Sequence, residues 1–412
     1  MDHRKELTER FIRYVGISSQ SDASAGVVPS TDGQRRYAML LAQELKDLGL
    51  CDVSVDEHAA VYATLKANVD GVPCIGFCSH LDTVDVSLSP DVHPQIISYQ
   101  GGDVVLNKEL GIVLKASEHP ELAEYVGEDI IFTDGTSVLG ADNKAAAANI
   151  MTMLAILKED PSIPHGEIKI SFVADEEIGL CGSKLLDLSK FDPDFAYTID
   201  CCHEGDVVYE TFNAGSAVVK IRGVSAHPMS AKGVLINPLL VAYDLISMFD
   251  RNQTPECTEC KEGYWWFNGI SADATFCTLN VNIRDHDKSS YEMRKRVLRE
   301  NVEKLKKVYP RADIELSISD TYENISNGVK VTDTPVALIY EALDKLGIKA
   351  HTYAMRGGTD GSALSPRGIV TPNYFTGALN FHSNAEFLPI CAFEKSLQVT
   401  LKLVELVSKL TK

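Results

Sequence analysis

Basic side chains are scarce in this sequence: 39 Lys and Arg stand against 58 Asp and Glu in 412 residues, a formal charge of −19, with a pI near 5.0. That deficit argues against nucleic-acid or anionic-membrane partners, because phosphate recognition needs a basic surface. No apolar run approaches the length of a membrane span. Low-complexity tracts and internal repeats are also missing. The opening Met1-Asp-His-Arg-Lys-Glu6 lacks the apolar core of a signal peptide and runs into an amphipathic helix with Leu7, Phe11, Ile12 and Val15 on one face. With ten cysteines and no secretion signal, reduced thiols in a cytoplasm are expected. Cys257-Thr-Glu-Cys260 has the spacing of half a zinc site, but no second Cys-x-x-Cys completes it, so two ordinary loop thiols are the favoured reading.

What is present is enough apolar residue, 45% of the chain, for more than one core, and two domains are the default at this length. A helix is predicted over 38–48, closed by Gly49, followed by strands over 61–65 and 74–79. A strong alanine-rich helix over 142–158 follows, with Asp142 near its N-terminus, where a carboxylate is favoured. Next come a strand (167–173), a helix (181–188) and a strand (195–200). This alternation predicts an α/β fold with a mostly parallel sheet covered on both faces. From about Asn213 the texture changes: amphipathic strands over 217–222, 274–283 and 313–318 frame helices over 238–251 and 290–308. That order predicts a small α+β unit. After about Lys330 the α/β pattern resumes, with helices over 335–346 and 394–409. The expected partition is a catalytic domain over 1–212 and 326–412, interrupted by an inserted domain over 213–325.

Five segments end in residues that bind divalent metals: His80-Leu-Asp82, Asp142 in Leu-Gly-Ala-Asp-Asn-Lys, Glu176-Glu177, Asp200 in Tyr-Thr-Ile-Asp, and His382 in Asn-Phe-His-Ser-Asn. His80 and Asp82 are two apart, so an extended backbone points them the same way, and a carboxylate there can orient a metal-bound ring. Each item has a plainer alternative: Asp142 an N-cap, Asp175 to Glu177 a solvated acidic run, Asp200 a strand end in water, His382 a loop histidine. Together, two histidines and several carboxylates at the rim of one sheet make the ligand set of a two-zinc hydrolase.

The resemblance is carried by stretches that run nearly end to end, among them Val28-Pro-Ser-Thr-Asp-Gly-Gln34, His80-Leu-Asp-Thr83, Thr133-Asp-Gly-Thr136, Leu139-Gly-Ala-Asp142, Asp175-Glu-Glu177, His227-Pro228 and Arg356-Gly-Gly-Thr-Asp-Gly361. On them the sequence resembles the aminoacylase/carboxypeptidase family of co-catalytic zinc exopeptidases, and within it the tripeptide aminopeptidases. The resemblance implies two Zn2+ per chain, with Co2+ or Mn2+ as substitutes. His80, Asp142 and Asp200 would hold one ion, and Asp142 would bridge to a second held by Glu177 and His382. Asp82 would orient His80, and Glu176 would be the general base. The inserted domain is implied to be a ferredoxin-like lid whose His227 stabilises the oxyanion on closure.

Arg284 and Arg356 are candidates to grip a peptide carboxylate, and Asn213 is a weaker candidate for a substrate contact. Short peptides are the implied substrates. A free sheet edge in the inserted domain could pair with a second copy. Three positions depart from the usual pattern: Asn143 in place of a second Asp, Cys201-Cys202 in place of small residues, and Ser383-Asn384 after His382. The rival readings are a related dipeptidase or N-acyl amino-acid deacylase with the same metals, and a non-catalytic peptide-binding protein. An intact Glu176 argues against the last, since a binder needs no general base.

Overall fold

The computed structural model describes residues 3–411. They form two compact units, one of residues up to 209 with 328–353 and 359 onward, the other of 210–327 with 354–358.

The first unit is built on an eight-stranded sheet. Its middle is four parallel strands in the order Ile168–Val173, Ile75–His80, Phe195–Cys201 and Asn373–Phe375. All but a few of their residues are buried, as strands covered on both faces must be. The expected parallel sheet is therefore its centre. Val61–Leu65 and Cys51–Val55 pair antiparallel on one side, and Asp206–Val208 is antiparallel to Asn373–Phe375 on the other. Antiparallel neighbours need only a short connection, and residues 56–60 supply one.

The helix Ala141–Glu159 is buried almost all round, so it lies between layers rather than on the surface. It packs on Ile75–His80 and on the first and last helices, His3–Val15 and Ile390–Val407. The run Ala145 to Ala148 keeps that approach close. In the first helix Leu7, Phe11 and Val15 are buried as read, with Tyr14 beside them, whereas Ile12 is half-buried. The helix predicted to end at Gly49 spans Asp32–Asp47, and Gly49 takes a φ of 75°, the left-handed conformation that suits glycine after a helix.

A three-stranded antiparallel sheet, Gln95–Ser98, Asp129–Phe132 and Phe387–Pro389, was not read from the sequence. Its strands have three or four residues, too few for alternation to show, and one partner comes from far along the chain.

The second unit is a four-stranded antiparallel sheet in the order Tyr264–Ala272, Phe276–Asp285, Asn213–Arg222, Asp313–Tyr322. The helices Pro238–Ser247 and Lys288–Val308 complete it, and the chain order strand-helix-strand-strand-helix-strand is the ferredoxin-like one. Its core joins Val219, Ile221, Leu279 and Val281 to Val241, Leu245, Leu298 and Val302. Strand Tyr264–Ala272 was missed because its register shifts between Phe267 and Gly269, which breaks the alternation.

The segment 354–358 was expected in the catalytic part, but it packs with the second unit. The Arg356 guanidinium donates to the carbonyls of Cys260 and Glu262 and to Thr258 Oγ1, and Phe212 donates its N–H to the Gly357 carbonyl.

Among the described residues no helix is long and apolar enough to cross a membrane. All ten cysteines are unpaired, and Cys257 and Cys260 are exposed.

Candidate metal centre

His80 is the last residue of the central strand Ile75–His80 and is fully buried. Its Nδ1 donates to the Asp82 carbonyl at 3.0 Å and lies 3.4 Å from Asp82 Oδ1. That bond leaves Nε2 as the nitrogen free to face a cation, and Nε2 sits 2.9 Å from Asp142 Oδ1. Asp142 lies at the start of the Ala141–Glu159 helix, where Gly140 takes a φ of 75°. Its other oxygen, Oδ2, is 3.0 Å from His382 Nε2. One carboxylate thus carries an imidazole on each oxygen. His382 Nε2 is also 3.0 Å from Glu177 Oε1.

Glu176 and Glu177 follow the strand Ile168–Val173 on a tight turn. The Asp82 carboxylate holds that turn, taking the N–H of Glu176 at 3.0 Å and of Glu177 at 3.2 Å. Asp175 takes a φ of 58°, and its carboxylate accepts from Ser30 N, Ser30 Oγ and Gln34 Nε2. This gives the Val28–Gln34 stretch a structural purpose. Gly182 closes the turn, since a Cβ there would lie 2.4 Å from the Ala174 carbonyl oxygen. Asp200 is the penultimate residue of Phe195–Cys201, and its N–H donates to Asn373 Oδ1 at 2.7 Å.

The electrostatics are those of a site short of positive charge. Burial, reinforced by neighbouring carboxylates, pushes Glu176 and Asp200 well above the ordinary carboxylate range and Glu177 to about 7. Burial would raise Asp142 too, but hydrogen bonds from His382 and His80 outweigh it and hold the group low. Bonds from His382 to Asp142 and Glu177 raise the imidazole to about 11. Donor atoms of His80, Asp142 and Glu177 lie within 4.8 Å of one another. Two imidazoles among these converging carboxyls fit divalent-metal ligation, because cations relieve the excess charge that burial makes costly.

The structure thus brings together His80, Asp82, Asp142, Glu176, Glu177 and His382, with Asp200 close enough that the Asp142 and Glu177 carboxylates add to its rise. The four remaining predicted residues lie in the second unit. Asn213 is a correction: it is fully buried, and its amide donates to the carbonyls of Asp285 and His286 while accepting from Asn324 N and Asn327 Nδ2. All its bonds tie strand ends together, so it has no face for a substrate. His227 is exposed and its Nδ1 accepts the Met229 N–H at 3.2 Å, which leaves Nε2 as the donor of the neutral ring. Arg284 donates from one nitrogen to the Gly215 and Ile283 carbonyls. Arg356 lies over the rings of Phe212 and Tyr264.

Of the departures, Asn143 is buried and its carbonyl accepts from Ser79 Oγ, while Cys201 is buried and Cys202 half-buried. Two buried acids were given no role from the sequence. Asp360 stands inside the Gly-Gly-Thr-Asp-Gly stretch, and burial raises it to about 6, with His80 its strongest charged neighbour; its motif was the available signal. Glu386 lies in the apolar run Ala-Glu-Phe-Leu-Pro, where a carboxylate is itself the signal.

The sequence profile of a peptidase dimerisation domain matches residues 209–313. A peptidase T-like protein of Yersinia pestis is 54% identical over 396 residues, 96% of each chain. The peptidase T of Caldanaerobacter subterraneus is 44% identical over 406 residues, 98% of this chain and 99% of that one. Among solved structures, a tripeptidase of Staphylococcus aureus superposes with a TM-score of 0.78 at 23% identity, covering 99% of both chains.

Proposed function

We propose that this chain, which belongs to the peptidase T family, is a metal-dependent aminopeptidase that releases the N-terminal residue of tripeptides. The observation that carries the reading is the Asp142 carboxylate with an imidazole on each oxygen, beside a buried acid, Glu176, that is not among the proposed ligands. His80, Asp142 and Asp200 would hold one ion, and Asp142, Glu177 and His382 a second. Zinc is the proposed metal, with Co2+ or Mn2+ as substitutes. When bound, such ions lower the pKa of water and polarise a scissile carbonyl.

The Glu176 carboxylate takes a proton from the attacking water and passes it to the leaving amine. Asp82 holds the Glu176 and Glu177 amides with its carboxylate and His80 Nδ1 with its carbonyl, so one residue orients the base and a ligand. The His227 Nε2–H donates to the developing oxyanion, and Arg284 grips the peptide carboxylate. Arg356, engaged by two carbonyls and a hydroxyl, fixes the second unit's own loop.

The dimerisation-domain match and the exposed Leu240, Tyr243, Trp266 and Ile270 support a homodimer formed through the second unit. Ten unpaired thiols support a cytoplasmic location.

The test is release of free amino acid from an unblocked tripeptide, before and after chelation and zinc addition, with Glu176→Ala alongside. Chelator-sensitive, zinc-restored cleavage absent in the variant is expected. Preferential cleavage of a dipeptide or an acetylated amino acid would replace the tripeptidase reading with that of a sibling hydrolase.

A further inference from the structure

Glu386 is 1% exposed and lies four residues after His382 on the same loop. Its Oε2 accepts the Gly140 N–H at 2.8 Å and its Oε1 the Asp142 N–H at 3.1 Å. Both donors sit at the start of the Ala141–Glu159 helix, where no carbonyl one turn earlier in a helix can serve them. Asp142 and Asn143 also depart from helical backbone angles there. A buried carboxylate meets both needs at a helix N-terminus, pairing the amides and matching the dipole.

The loop that bears Glu386 is closed on itself. Leu379 and Phe387 exchange main-chain bonds of 2.9 and 3.1 Å, and Ser383 Oγ donates to the Asn380 carbonyl at 2.8 Å. The following strand Phe387–Pro389 pairs with Asp129–Phe132. Glu386 ties this closed loop to the Asp142 turn across 244 to 246 residues of sequence. Asn384 Nδ2 also ties the loop to the Gly135 carbonyl and Asn380 Nδ2 ties it to Glu121, but it is Glu386 that takes the main-chain amide of Asp142 itself, the residue whose Oδ2 lies 3.0 Å from His382 Nε2.

We propose that Glu386 is a positioning residue: by accepting the Gly140 and Asp142 amides it sets the Asp142 carboxylate against His382, so that one metal-binding geometry is built from two distant segments. The inference rests on the two-metal reading above. It parallels the hold of Asp82 on the Glu176 and Glu177 amides, which makes two carboxylates each fixing a pair of main-chain donors.

The experiment is titration of metal-free protein with Co2+, read by visible absorption and by competition with a chromophoric chelator, for wild type and Glu386→Gln. Thermal unfolding of the metal-free forms runs alongside. Gln keeps the shape but turns an NH2 toward one of the two N–H donors, so one bond is lost. Expected are two Co2+ per wild-type chain, and affinity about ten- to hundredfold weaker in Glu386→Gln, the usual cost of losing a group that orients a ligand. At saturating Co2+ the variant should recover turnover with an unchanged KM. A variant with lowered thermal stability but wild-type Co2+ affinity would overturn the proposal, because that is the signature of a purely structural residue. Should Glu386→Gln fail to fold, Glu386→Asp, read in the same way, decides. Wild-type protein that takes up no Co2+ would overturn the two-metal reading itself, whereas wild-type uptake with an unaltered variant overturns this inference alone.

Discussion

Glu176 and Glu177 are adjacent in sequence and are proposed for two different tasks. Glu177 faces His382, while the Glu176 main chain is held by Asp82. Replacing Glu176 with Ala should leave the ligand set intact and lower turnover by about two to four orders of magnitude, the contribution of a positioned general base; measured metal content together with tripeptide turnover checks this. Arg284→Ala should raise KM for tripeptides far more than it changes metal content, and unchanged kinetics would end its substrate role. Asn213 was misread because an amide that closes a buried network and one that waits for a substrate look the same in sequence. Asn213→Ala removes the side-chain acceptor of the Asn324 N–H and the side-chain donor to the Asp285 carbonyl, whereas the His286 carbonyl keeps its bond from Asn324 Nδ2. It should lower the melting temperature, at about 1–3 kcal/mol for each group left unsatisfied, with no change in KM.

At the scale of elements, legibility followed length and regularity. The long helices and central strands were readable because periodicity persists through several turns or a fully apolar run. Tyr264–Ala272 was lost to its register shift, and the three-stranded sheet to its brevity. Helix starts were less visible than stops: Gly49 marked an end, whereas the helix Asp32–Asp47 begins several residues before its apolar pattern does. Its N-cap Thr31 makes no side-chain cap bond, since the hydroxyl donates to the Gln20 carbonyl. By contrast, the Asp287 carboxylate caps the helix Lys288–Val308 by accepting the Ser290 N–H at 2.7 Å. Asp287→Ala should therefore destabilise the second unit by about 1 kcal/mol, measurable by denaturant unfolding.

For the whole molecule, the proposed ligands His80, Asp142 and Asp200 were legible because each lies at the end or start of a secondary-structure element, while Glu386 and the 354–358 segment were not, because their partners are set by tertiary packing. The crowding of acids at one place also predicts how the metal-free protein responds to pH. Burial raises Glu177 to about 7, Glu386 to about 8 and Asp360 to about 6, all above their unfolded values. The folded chain then binds more protons than the unfolded one, so stability is greatest at low values of this window and falls as pH rises. Hydrogen bonds to Asp142 and Glu177 raise His382 and act in the same direction. The melting temperature of chelated protein should fall from about pH 5 to about pH 8, where Glu386 titrates, and zinc should flatten that dependence; a flat profile without metal would count against the charge account.

His382 and Glu386 come from the last stretch of the chain, and Asp142, which they meet, precedes His382 by 240 residues. At about 5–20 residues per second of synthesis, His382 is added on the order of ten to fifty seconds after its partner. A ribosome-bound chain thus holds four of the five proposed ligands for most of that time and lacks the fifth. On the proposed ligand set, the second ion's site is completed only once residue 382 has been made, so chain order itself sets when the centre can be assembled.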